Sequence, residues 1–119
     1  MKRVTMRIEF DDSRWIGWGK VALLDAIARD GSITTAAKSL GMSYRRAWQL
    51  VHALNTMFQE PLVQSDRGGT DGGGTTLTPL GQEVVTRYRR VEGRLNMLTQ
   101  QAFHELEQRL APPRTRRTK

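Results

Sequence analysis

The stretch from Gly31 to Phe58, GSITTAAKSLGMSYRRAWQLVHALNTMF, leaves the chain few ways to fold. Two short helical patterns are joined by a turn that contains Gly41. Ser32 can cap the first helix, whose inward positions Ala36, Ala37 and Leu40 are mostly small enough for close helix crossing. Gly41 can adopt the left-handed backbone of the turn without a Cβ clash, and Ser43 then offers its hydroxyl to the open amides of the second helix. A cap, an aromatic and two arginines open that helix. A helix-turn-helix of this kind is suited to laying its second helix in the major groove of DNA.

The second helix has two unlike faces. Ala47, Leu50, Val51, Leu54 and Phe58 recur at spacings of three and four, an apolar stripe that faces a core. Arg45, Gln49, His52 and Thr56 repeat on the other side, with Arg46 at its edge. A polar face is often only solvated. Here the helix and turn before it favour base contact, because arginine can span guanine O6 and N7 and glutamine can do the same to adenine.

Composition agrees in sign. Nineteen Lys and Arg against twelve Asp and Glu give a formal net charge of +7 over 119 residues, which favours polyanions, nucleic acid before anionic membranes. The length suits one domain with an extension. There are no cysteines, which excludes disulfides and thiolate metal sites. No apolar run approaches the roughly 20 residues that cross a bilayer, and the N-terminus lacks a secretory signal pattern, so no membrane partner and a cytoplasmic location are expected.

Around the helix-turn-helix, Val4, Met6, Ile8 and Phe10 alternate with polar residues and predict a strand with one buried face, ended by a turn at Asp11 to Ser13. Trp15 and Trp18, on either side of Ile16, are read as closing the core, with stacking on bases as the alternative. From Gly19 a supporting helix is expected, with Val21, Leu24, Ile27 and Ala28 inward and Asp30-Gly31 as its stop. Leu62 to Asp66 and Thr75 to Thr78 suggest an antiparallel pair around GGTDGGG, five glycines in seven residues. No helix with Lys-Ser or Lys-Thr follows this loop directly, so a nucleotide-phosphate loop is disfavoured. A wing fits better: the glycines allow close approach to a phosphate or minor groove, and Arg67 at the base supplies charge. A free loop without contacts is the bland alternative.

Thr78 as cap and Pro79 at the first helical position open a long helix that Pro112-Pro113 stops. About 32 residues at ~1.5 Å each would span roughly 48 Å if unbroken. Val84, Tyr88, Val91, Leu95, Leu98 and Ala102 form a coiled-coil seam, read as a dimer contact; the alternative is packing within the chain. The apolar pattern then shifts to Leu106 and Leu110, like a stutter. Enzymatic chemistry is not expected. His52 and His104 have no metal-ligand spacing, Asp11-Asp12 sits in a turn, and no nucleophile elbow occurs, so no catalytic residue, metal or cofactor is assigned.

GSITTAAKSLGMSYRRAW, followed by EPLVQSDRGGTDGGGTTLTPLG, resembles the DNA-binding domain of the ModE-type molybdate-responsive transcription regulators. The SI-x-x-AA block and the LT-x-x-G after the wing are also similar to LysR-type regulators. The resemblance covers about residues 4 to 105. It implies a winged helix-turn-helix that homodimerises through flanking helices on a partly palindromic operator. Ser43, Tyr44, Arg45, Arg46 and Gln49, with His52 further along, then fall on the reading helix. Thr34 and Thr35 of the preceding helix join them, as do Arg67, Gly68, Gly69, Gly72 and Gly73 on the wing. Full-length members carry a C-terminal molybdate-binding domain, and this chain ends where that domain would begin. It is either a shortened form or a single-domain member. The basic, proline-marked end favours the second, for which molybdate sensing is not expected.

The expected fold is mainly α with a small β wing: a winged helix-turn-helix over 1–78, a long C-terminal dimerisation helix over 79–111, and a basic tail over 112–119. The expected function is sequence-specific binding of double-stranded DNA as a homodimeric transcription regulator. Rival readings are a nonspecific architectural DNA binder and a winged-helix module for protein contact.

Overall fold

The computed structural model describes residues 2–66 and 74–113. A two-stranded hairpin leads, β1 (Arg7–Glu9) against β2 (Trp15–Gly17), antiparallel with Ile8 opposite Ile16. Three helices follow: α1 (Trp18–Asp30), α2 (Ile33–Ser39) and α3 (Tyr44–Asn55). A second antiparallel pair, β3 (Val63–Asp66) and β4 (Gly74–Leu77), precedes α4 (Pro79–Ala102) and the short α5 (His104–Gln108).

The core gathers around α1, whose Val21, Leu23, Leu24 and Ile27 are fully enclosed. Leu23 and Ala26 widen the inward face beyond the expected stripe, while Ala28 is exposed, because α1 is covered on more than one side. Gly31 ends α1 with φ 76°, and its amide returns to the Ile27 carbonyl at 2.8 Å. Ala36 and Ala37 bring α2 close, but Leu40 stays exposed at the end of its helix.

The N-terminal strand is shorter than expected. Val4 and Met6 are half-buried, whereas Ile8 and Phe10 lie open, since a two-stranded hairpin has only the flank of α4 and Phe58 to cover one face. Phe10 meets Phe58 edge-on at 5.7 Å. The tryptophans divide: Trp15 is half-buried, but Trp18, at the exposed start of α1, is 55% exposed and not core.

The long helix breaks. α4 ends at Ala102, Phe103 leaves helical geometry at φ −108° and ψ 11°, and α5 turns so that Glu107 pairs with Lys2. The break falls where the seam shifts register. Upstream, the helix belongs to the common core. Tyr88 is buried and donates its hydroxyl to the Met6 carbonyl at 2.8 Å, so this seam residue is used within the chain. Thr78 caps α4 by accepting the Gly81 amide at 3.0 Å and donates to the Pro61 carbonyl at 2.8 Å. A Cβ on Gly81 would strike the Leu62 carbonyl, so the Thr-x-x-Gly spacing is what lets α4 start against the wing.

Candidate nucleic-acid interface

The geometry of α3 is set by local chemistry at its start and by a side-chain clasp at its end. Ser32 accepts the Thr35 amide at 2.9 Å and Ser43 accepts the Arg46 amide at 3.0 Å, each satisfying a donor that a helix start leaves open. Between them Gly41 takes φ 71°, and the Met42 amide returns to Ala37 at 3.0 Å. Ala47, Val51 and Leu54 are buried, and Leu50 and Phe58 half-buried, so the apolar stripe faces inward. At the far end Asn55 holds the wing: its Oδ1 accepts both the Leu62 and Val63 amides at 2.9 Å, and its Nδ2 donates to the Val63 carbonyl at 3.0 Å. Thr75 donates its amide to the Gly31 carbonyl at 2.8 Å, tying β4 to the end of α1.

This scaffold presents Ser43, Tyr44, Arg45, Arg46, Gln49 and His52 to solvent together, with Thr34 and Thr35 exposed at the start of α2. Arg67, Gly68, Gly69, Gly72 and Gly73 lie outside the described residues. Trp48 was missed by reading only polar residues on this face. It is 49% exposed and stacks on His52 with ring centroids 5.4 Å apart and 7° between planes. Its spacing of four from His52 was the available signal.

The seam residues do not behave alike. Tyr88 is enclosed and Val84 and Leu95 are half-buried, while Val91, Leu98 and Ala102 are exposed. Ile8, Phe10, Val84 and Val91 line an open apolar groove of ≈ 330 Å³ between hairpin and α4.

Residues 18–82, from the first turn of α1 to the first turn of α4, match the bacterial regulatory helix-turn-helix protein, lysR family. The chain belongs to this family. Its helix-turn-helix is of the kind found in bacterial regulatory proteins. It is similar to the molybdenum transport protein ModE of Azotobacter vinelandii, 38% identical over 88% of this chain and 37% of that protein. It is also similar to the DNA-binding transcriptional dual regulator ModE of Escherichia coli K12, 39% identical over 58% of this chain and 26% of that one. The chain spans about a third of the length of the curated relatives it matches. A single-site mutant of Lactococcus lactis ZitR shares the fold, with a TM-score of 0.54, 15% identity, and coverage of 87% of this chain and 68% of that one. The family match stops at residue 82, so the leading hairpin and most of α4 lie beyond it. Among the described residues no helix is long and apolar enough to cross a membrane, and no group of three His, Cys, Asp or Glu could hold a metal.

Proposed function

We propose that the chain binds double-stranded DNA sequence-specifically as a homodimer, in the cytoplasm, on a partly palindromic operator. The observation that carries the reading is the outer face of α3. Tyr44 and Arg45 at the capped start of the helix, Gln49 midway and His52 in its last turn stand exposed on one side, and the other side is locked into the core. Arginine and glutamine there have the donors and acceptors that distinguish base pairs in a major groove. Asn55 and the Gly31 carbonyl fix β3 and β4 against α3 and α1, and contact with the flanking backbone is assigned to this strand pair.

Dimerisation is supported by apolar surface that one chain leaves open. Leu98, Met97, Phe103 and Leu106 are each more than half exposed, and the groove beside Ile8 and Phe10 adds to them. A second copy that covered α4 would bury side chains worth ~25 cal/mol per Å² of apolar area. Reading adjacent half-sites would require the two copies of α3 to stand about 34 Å apart, one turn of the duplex.

The relatives' names point to molybdenum, but this chain matches about a third of their length, and we assign it no effector. Selection of bound duplexes from a random pool at physiological salt, with and without molybdate, tests the reading. An enriched inverted repeat with half-sites one turn apart, unaffected by molybdate, is expected. Strong low-salt binding without an enriched motif would instead make the chain an architectural DNA binder.

A further inference from the structure

Beside the first turn of α3, a second cleft of ≈ 430 Å³ opens between the hairpin and the start of α1. Its walls carry Arg7, Lys20 and Arg46 with Trp15 and Trp18, and no carboxylate is among the described residues that line it. Lys20 is the unusual member. It is only 7% exposed, donates to the Trp15 carbonyl at 3.0 Å, and lies 3.7 Å from the centre of the Trp15 ring. Arg7 covers the same indole at 3.9 Å. Arg7 is partly neutralised by Glu9, at 3.0 Å, but neither Lys20 nor Arg46 has an ion-pair partner among the described residues.

A buried ammonium facing other cations is costly unless an anion joins it. Burial pushes the Lys20 ammonium below the usual lysine value, and repulsion from Arg7 and Arg46 adds to this. The backbone contributes in the same sense. Gly17 caps α1 without a side chain, and no acidic residue stands in the first turn, so the amides there have no side-chain acceptor. A Cβ built on Gly19 meets nothing within 4 Å, which leaves room for an approaching group.

We infer that this cleft is an oxyanion cradle, in which Lys20, Arg46, Arg7 and the opening amides of α1 take one phosphate of the DNA backbone beside the groove that α3 enters. The inference rests on the DNA-binding reading above and reassigns one residue of it. Arg46 grips the backbone, and Arg45 and Gln49 are left to read bases. Free inorganic phosphate has the same chemistry and is the other possible source of the anion.

The test is a salt series of duplex binding by the full chain, on a selected duplex and on a scrambled one. Lys20→Met keeps the bulk of the side chain and removes its charge. It is expected to weaken both duplexes by the same factor, about fivefold at physiological salt, and to lower the slope of log affinity against log salt by about one. Gly19→Glu sets a carboxylate in the open space at the first turn, where the helix dipole favours it. Melting temperature should rise while DNA affinity falls, a combination that damaged folding cannot produce; if Lys20→Met fails to fold, this variant decides. Unchanged affinity and slope in folded Lys20→Met overturns the cradle.

Inorganic phosphate, titrated without DNA and followed by tryptophan fluorescence, separates the sources. A saturable change lost in Lys20→Met shows that the cradle also takes the free ion; no change, with the salt slope lowered, restricts it to the duplex. If the unmodified chain binds no duplex at low salt, the DNA-binding reading fails. The cradle then survives only if phosphate gives that Lys20-dependent change.

Discussion

Two groups of cations in this chain stand in opposite surroundings. Where α4 crosses α1, Arg89 is saturated: its Nη2 donates to Asp25 at 2.6 Å and its Nη1 to Glu92 at 2.9 Å. On and beside α3, Lys20, Arg45 and Arg46 have no carboxylate partner among the described residues. The first arrangement closes its charges inside the chain and adds to stability. The second leaves them for an outside anion, at a cost in self-repulsion that binding removes. Net charge alone could not separate the two. The difference lies in where the acids are: Asp25 and Glu92 meet on the α1–α4 contact, while α2 and α3 contain no acidic residue.

The largest expected effect falls on the unpaired group. Arg45→Ala should cost about 1–3 kcal/mol of affinity for the selected duplex and relax preference at one base pair. Binding of a library of single-base variants measures this. If Arg45→Ala weakens every sequence equally, Arg45 is a backbone contact and base reading falls to Gln49 and its neighbours. The loss should be accompanied by little change in melting temperature, because the side chain is exposed and has no carboxylate partner among the described residues.

The parts of this comparison differ in how legible they were. Caps at Ser32, Ser43 and Thr78 and the left-handed turn at Gly41 rest on contacts three or four residues apart, so residue type and spacing suffice to read them. The exposed face of α3 follows from the same periodicity. What spacing could not supply was the partner of each face. Tyr88 satisfies the seam pattern equally well against a second copy or against its own hairpin, and the bond to Met6, 82 residues away, decides for the hairpin. Trp18 looked like core because an indole is large and apolar, yet the start of α1 leaves it open. Lys20 is the reverse case, a charged residue enclosed by an indole only five positions before it. The Asn55 clasp was missed for a related reason. An amide at a helix end is ordinary until the strand it serves is in place.

The paired group should answer differently. Arg89→Ala is expected to cost about 0.5–1 kcal/mol of stability, kept small because Arg89 and Asp25 are each about 40% exposed and solvent screens the pair. Urea unfolding checks this, and the cost should shrink as salt rises. DNA affinity should change by less than for Arg45→Ala. An equal loss of affinity at constant fold would break the comparison, since it would place the α1–α4 contact on the duplex.

The smallest effect separates pairing from packing altogether. In the hairpin turn Asp11 accepts the Ser13 and Arg14 amides at 3.1 and 2.8 Å and the Arg14 guanidinium at 2.7 Å. The Arg14 side-chain bond, more than the backbone amides, holds its carboxyl down to about 2 from the usual 3.8. A carboxyl depressed in the folded chain contributes stability that is fully present above 3.8 and is lost as pH falls through about 2. Both side chains are solvent-exposed, so the contribution is local to the turn. A carboxyl-detected titration should give a midpoint for Asp11 near 2, and Arg14→Ala should move it back toward 3.8 without changing duplex affinity. A midpoint unmoved by Arg14→Ala would leave the backbone amides as the cause. Paired arginines in this chain would then have to be judged one by one, by what their carboxylates lose when the guanidinium is removed.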